Sequence, residues 1–155
     1  MNFDNRYVYI ILAIIVLASV MGGGFDLLSI LFTIPGVLLA ITFHEYAHAI
    51  VAYKLGDDTP KVQGRLSLNP FTHLDPIAVV LLVFTHIGWG RPVEINPNNF
   101  NKKISAKTGE AIVAAAGPIM NFLLAIVLTI ILYALQIFAT NFVNISRIGI
   151  IIFTM

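Results

Sequence analysis

The sequence predicts an all-α membrane protein, a polytopic helical bundle, and three observations predict it. Of its 155 residues, 58% are hydrophobic and only 11% charged, against about 25% charged in an ordinary soluble domain. The mean hydropathy is +0.89. The apolar residues fall into blocks, at about residues 7–22, 27–53, 77–89, 111–139 and 148–155, and crossing a hydrocarbon core takes about 20 such residues as a helix. The net charge of +1 gives no basic face for nucleic acid, so the expected partners are the lipid bilayer and another membrane protein. No cysteine is present, which excludes disulfide frameworks, thiolate zinc sites and thiol catalysis.

The first block follows a segment with one Asp and one Arg, and Gly22-Gly23-Gly24 leads into more apolar chain. Both features favour a retained segment over a cleaved signal. The second block contains Pro35, expected to kink or break its helix, and its last turns carry His44, Glu45 and His48. The third, Ile77 to Trp89, is short for a span and is expected to be re-entrant. The fourth is a full span with Gly117, Pro118 and Asn121 near its start. Beyond Arg147 a last apolar run is cut off at Met155, so residues 1–155 are expected to form a single, incomplete membrane domain.

Between the second and third blocks, Val62 to Leu68 alternates apolar and polar residues. Period two predicts a short strand or β-hairpin near residues 61–69, at the membrane edge. Asn69-Pro70 and Asp75-Pro76 are turn signals. The basic residues of the loops (Lys54, Lys61 and Arg65, then Arg91, Lys102, Lys103 and Lys107) place the N-terminus and both loops on the cytoplasmic side of a cell membrane crossed several times.

The chemistry is concentrated in His44-Glu45-Tyr46-Ala47-His48, an H-E-x-x-H pattern. On a helix, residues i and i+4 share a face, so both imidazoles can bind one metal ion while the adjacent carboxylate reaches the attacking water. Composition alone produces this pattern in about 2 of 1,000 such chains, and ionisable groups at membrane depth are costly unless they serve a site. Zinc suits neutral imidazole and makes water nucleophilic near neutral pH, and Glu45 would act as general base and then acid.

A catalytic zinc takes a third protein ligand. Asp75 is the first candidate, although an Asp before Pro is also a turn former. His73 and His86 are further candidates, but the favoured readings are a loop hydrogen-bonder for His73 and an interfacial or buried neutral histidine for His86. Asp26, Asp57, Asp58 and Glu94 are read as loop or surface groups. Asn121, with Gly117 and Pro118, either binds substrate backbone or makes a helix–helix contact that the small residues before it permit.

Taken in order, His44 to His48, Gly64-Arg65-Leu66-Ser67-Leu68-Asn69-Pro70, His73-Leu74-Asp75-Pro76, Gly88-Trp89-Gly90-Arg91-Pro92-Val93 and Ala116-Gly117-Pro118-Ile119-Met120-Asn121 resemble the site-2 protease family. The likeness is greatest to its small single-domain prokaryotic members. The resemblance implies an intramembrane zinc metalloprotease: His44 and His48 as Zn2+ ligands, Glu45 as catalytic acid/base, and cleavage of a transmembrane or membrane-proximal segment of another protein. In that family the third ligand is an Asp in a later Leu-Asp-Gly motif, which this sequence lacks. The sequence therefore either ends before its third ligand, the favoured reading, or uses Asp75. Two other readings use the same residues. One is a membrane metal-binding or transport protein with His44, His48, His73 and His86 as transient ligands. The other is a catalytically silent membrane scaffold.

Overall fold

The computed structural model describes residues 5–22, 27–85 and 89–154. These residues are mostly helical: α1 (Asn5–Met21), α2 (Leu27–Lys54), the single turn α3 (Thr59–Val62), α4 (Pro76–Thr85) and α5 (Ala106–Thr154). Among the described residues two stretches are long and apolar enough to cross a membrane, Thr33–Lys54 and Ala106–Asn141. By contrast, α4 has ten residues, about 15 Å of helix, half of a hydrocarbon core. His86 and Asp26 lie outside the described residues.

Pro35 and Pro118 each sit inside a helix that continues past them, although each removes one helical N–H donor. The fourth and fifth apolar blocks, expected to be separate, share the one helix α5. Hydroxyls on the long helices return to the backbone: Thr42 donates to the Leu38 carbonyl at 2.6 Å, Thr129 to Ala125 at 2.7 Å and Thr140 to Gln136 at 2.8 Å. An i−4 bond of this kind lets a polar side chain face hydrocarbon without an unmet donor.

The chain divides into two compact units, residues 1–120 and 121–155. In the first, α1 packs on α4, and the C-terminal half of α2 carries α3 and the 3₁₀ turn Pro70–Thr72. Ala52, Phe100 and Val113 form a small buried cluster flanked by Val51, Leu55 and Ile95. Phe100 packs directly against Gly109, where a Cβ would overlap its ring. The second unit is helix, and its described side chains are almost all exposed, among them Phe122, Leu132, Tyr133 and Phe138. So much bare apolar surface needs lipid or protein around it.

The hairpin expected near residues 61–69 is not formed. Among the described residues there is no strand, and the β pairing is a single antiparallel bridge, Leu74 to Gly90. Local chemistry explains the difference. Pro60 near the first position of α3 favours a helical turn. Gly64, at φ +70°, ends that turn in the left-handed region where a side chain is disfavoured, and the Arg65 amide bonds back to the Pro60 carbonyl at 2.8 Å. The Ser67 carbonyl accepts from the His73 ring at 2.7 Å, a bond that a ladder would have needed.

Candidate metal centre

The last turns of α2 place the site. Positions 44, 45 and 48 lie within about 1.1 turns of helix, and Ala47, Ala49 and Ala52 are buried around them, small enough to let neighbouring chain approach closely. The His44 and His48 rings meet edge to face, with centroids 4.7 Å apart and planes at 83°. His48 Nδ1 lies 2.7 Å from the Val113 carbonyl oxygen. A carbonyl only accepts, so Nδ1 carries the proton and the Nε2 lone pair of the neutral ring is left for a metal.

The two Nε2 atoms converge on Gly117. A Cβ built there would lie 2.6 Å from His44 Nε2 and closer still to His48 Nε2. Glycine therefore provides the open space that both nitrogens border.

Glu45 is 9% exposed and accepts a hydrogen bond from the Val93 amide at 3.2 Å through Oε2. Gly90 lies on its other side, where a Cβ would come within 3.2 Å of Glu45 Oε1 and 2.8 Å of Ile41. The Gly90–Val93 segment is held in place by the Leu74 bridge and by the Arg91 amide donating to the His73 carbonyl at 2.7 Å. A cavity of about 370 Å³ opens beside the site, bordered by Glu45, His48, Val93, Glu110 and Val113.

The loop carrying Val93 is anchored at the end of α2. Asp57, read from the sequence as a loop or surface group, is a loop residue but fully buried. Its Oδ1 accepts from the Thr59 amide (3.1 Å), the Thr59 hydroxyl (2.6 Å) and the Asn99 side chain (2.9 Å), and its Oδ2 accepts from the Asn96 amide (2.6 Å). Desolvation, the largest single influence, raises the Asp57 pKa, but the bonds from Thr59, Asn96 and Asn99 together outweigh it and hold the carboxyl below the ordinary aspartate value. Beside it, Gly56 at φ +107° lets the Asn99 carbonyl approach to 3.0 Å of where its Cβ would be. The Asn101 amide reaches the Leu55 carbonyl at 2.7 Å.

The structure thus brings together His44, Glu45, His48 and Gly117. These residues fit a zinc-type ion: two neutral imidazoles aimed at one space, one with its tautomer fixed, and a buried carboxylate alongside. No group of three His, Cys, Asp or Glu that could hold a metal occurs among the described residues. Asp75, the first candidate for the third ligand, does not join the pair. Its Oδ1 caps α4, accepting from the Ile77 and Ala78 amides at 2.9 and 3.1 Å, the ordinary work of an Asp before a helix. His73 is fully buried and bonded to Ser67, a loop hydrogen-bonder. Pro118 is exposed on α5. Asn121 falls in the second unit, and its role rests on the sequence pattern.

The Val113 carbonyl, the Val93 amide, Gly90 and Glu110 were not legible as site groups. Glu110, Val113 and Ala114 precede Gly117 by seven, four and three residues, which is one helix face, so that spacing was an available signal for the first two. The backbone donor at Val93 had none.

A family model described as "Peptidase family M50" matches residues 32–150. Among curated relatives, YwhC of Bacillus subtilis (strain 168), named "Putative zinc metalloprotease", is 45% identical over 91 residues, 59% of this chain and 40% of the relative. Rip2 of Mycolicibacterium smegmatis, named in the same words, is 30% identical over 101 residues, 61% of this chain and 37% of the relative. Rip2 of Mycobacterium tuberculosis (strain H37Rv) is 30% identical over 99 residues, again 61% and 37%. The chain spans about two fifths of the length of the curated relatives it matches. No solved structure matches.

Proposed function

Because the chain belongs to peptidase family M50, the family of the site-2 proteases, we propose that it acts in intramembrane proteolysis as a zinc endopeptidase of a multi-pass cell-membrane protein, cutting transmembrane or membrane-proximal segments of other membrane proteins. The observation that carries this reading is the convergence of His44 Nε2 and His48 Nε2 on the space at Gly117, next to the buried Glu45.

His44 and His48 would hold the ion. Zinc bound there supplies Lewis acidity, polarising the scissile carbonyl and making water nucleophilic near neutral pH. Glu45 takes the proton of the attacking water and returns it to the leaving amine. The Val93 amide holds Oε2, which aims the carboxylate and leaves Oε1 to accept that proton. The His48–Val113 bond keeps the imidazole in the tautomer that binds metal. A peptide bond in a spanning helix is shielded by its own hydrogen bonds and by lipid, so the substrate must unwind locally. The cavity of about 370 Å³ beside Glu45 offers room for an unwound segment.

A metal-binding or transport protein needs no carboxylate held beside the first histidine, and a silent scaffold needs none of the three. Glu45→Gln separates these readings. Cleavage of a model membrane substrate by the zinc-loaded protein is expected to fall at least about 100-fold, the scale of a lost general base, with zinc content unchanged. Equal cleavage by the variant would end the hydrolase reading.

A further inference from the structure

The segment 91–95 that borders the catalytic cavity also borders a larger one of about 500 Å³. Two guanidiniums border it, Arg65 and Arg91, together with Glu94. Arg65 is only 6% exposed, and its side chain donates to the Thr72 carbonyl through Nη1. A guanidinium has five N–H donors, and one protein bond leaves most of them for the cavity. Arg91 is fixed in place by its own amide, which donates to the His73 carbonyl at 2.7 Å.

The two like charges lie near enough to oppose each other, and Arg65 also feels Glu45 and Glu94. Burying a cation beside another is costly unless an anion joins them. Glu94 does not fill that place. It is exposed and its Oε2 accepts from the Gln63 side chain at 2.7 Å. Among the described residues neither arginine forms an ion pair with a carboxylate. Of the charged groups that line the cavity, two are guanidiniums and one is a carboxylate, while Glu45, which Arg65 also feels, lines the catalytic cavity instead.

We propose that Arg65 and Arg91 form a subsite for a carboxylate, the side chain of an Asp or Glu flanking the scissile bond of the substrate. The assignment rests on the peptidase reading above and adds a preference to it. The shared segment is what favours a peptide over a lipid phosphate. Residue 91 faces this cavity and residue 93 faces the catalytic one, and two residues of chain span at most about 7 Å. An anion held at Arg91 is therefore within a few residues of a peptide bond held at Glu45. Guanidinium and carboxylate pair through two parallel hydrogen bonds, so the subsite selects by geometry as well as charge.

The test is binding of synthetic peptides, each an apolar helix-forming segment followed by Asp-Glu, Gln-Gln or Lys-Lys, to the full chain carrying Glu45→Gln, in nanodiscs. Peptide anisotropy reads the affinity without turnover. The acidic peptide is expected to bind at least tenfold tighter than the Gln-Gln peptide, and Arg91→Glu is expected to reverse the order in favour of Lys-Lys. Arg91 carries the test because its side chain is exposed, whereas Arg65→Gln removes a buried bond and endangers the fold. An affinity indifferent to peptide charge, or a preference that Arg91→Glu leaves in place, would overturn the subsite. So would an Arg91→Glu effect confined to phosphatidylglycerol nanodiscs and absent in phosphatidylcholine, which would assign the pocket to a lipid headgroup. If cleavage by the zinc-loaded chain is unchanged by Glu45→Gln while the charge preference persists, the peptidase reading fails and the subsite stands as a carboxylate site. If it cleaves all three peptides alike, the subsite alone fails.

Discussion

His48 donates its Nδ1–H to the carbonyl oxygen of Val113 across 2.7 Å. That bond joins the C-terminal end of α2 to the first turns of α5 and fixes which nitrogen of the ring stays free. An outer hydrogen bond of this kind fixes the ring and raises its basicity toward a metal.

The two histidines should carry the metal alone among the described residues. His44→Ala and His48→Ala are each expected to lower bound zinc by tenfold or more, measured as zinc per protein by elemental analysis after dialysis. Stoichiometric zinc in either variant would show that the ion sits elsewhere.

Gly117 should matter through space rather than flexibility, since its position is helical. A methyl group at Gly117 would stand within 2.6 Å of His44 Nε2, where neither ring has a long flexible end to yield. Gly117→Ala is expected to reduce zinc affinity about 10- to 100-fold, the range seen when the surroundings of a metal ligand are disturbed. Competition with a chelator reads the affinity directly, and an unchanged value would mean that the space is not the metal's.

Gly90 tests the positioning of Glu45 separately from the metal. A Cβ at Gly90 presses on Glu45 Oε1 and on Ile41. Alanine is partly absorbed by these side chains, whereas Gly90→Val is expected to slow cleavage by tenfold or more, since misplacing a catalytic group by about 1 Å costs up to 100-fold. Zinc content should stay stoichiometric. Loss of zinc together with rate would refer the effect to folding.

Asp57 should confer a stability that acid removes. Hydrogen bonds lower its pKa in the folded chain, so the folded state binds the proton less tightly than the unfolded one. Its contribution is complete above the ordinary aspartate range and is lost as the pH falls through that range to the depressed folded value. Asp57→Ala leaves the donors of Thr59, Asn96 and Asn99 unmet and should cost roughly 2–3 kcal/mol. Thermal unfolding in detergent, followed from neutral pH down through the carboxylate range, should show the wild type approaching the variant only at the acid end. A constant gap between the two would show that the carboxylate's ionisation does not hold the loop.

What the sequence determined by itself is local in kind. Composition and block length identified a helical membrane protein, and spacing along one helix put His44, Glu45 and His48 on neighbouring positions, because helix periodicity is a property of consecutive residues. The period-two stretch at Val62–Leu68 misled because alternation records which side chains face the protein, not whether a partner strand exists. Pro60 and Gly64 decided the backbone there before any ladder did. Only the tertiary structure decided the rest: that a missing side chain at Gly117 makes room between two imidazoles, that the Val93 amide aims Glu45, and that Asp57, a loop residue by every local sign, is buried as the anchor of the 96–101 loop. Each is a contact between residues distant in the chain or a use of backbone groups that every residue possesses. No local pattern of side chains encodes such a contact.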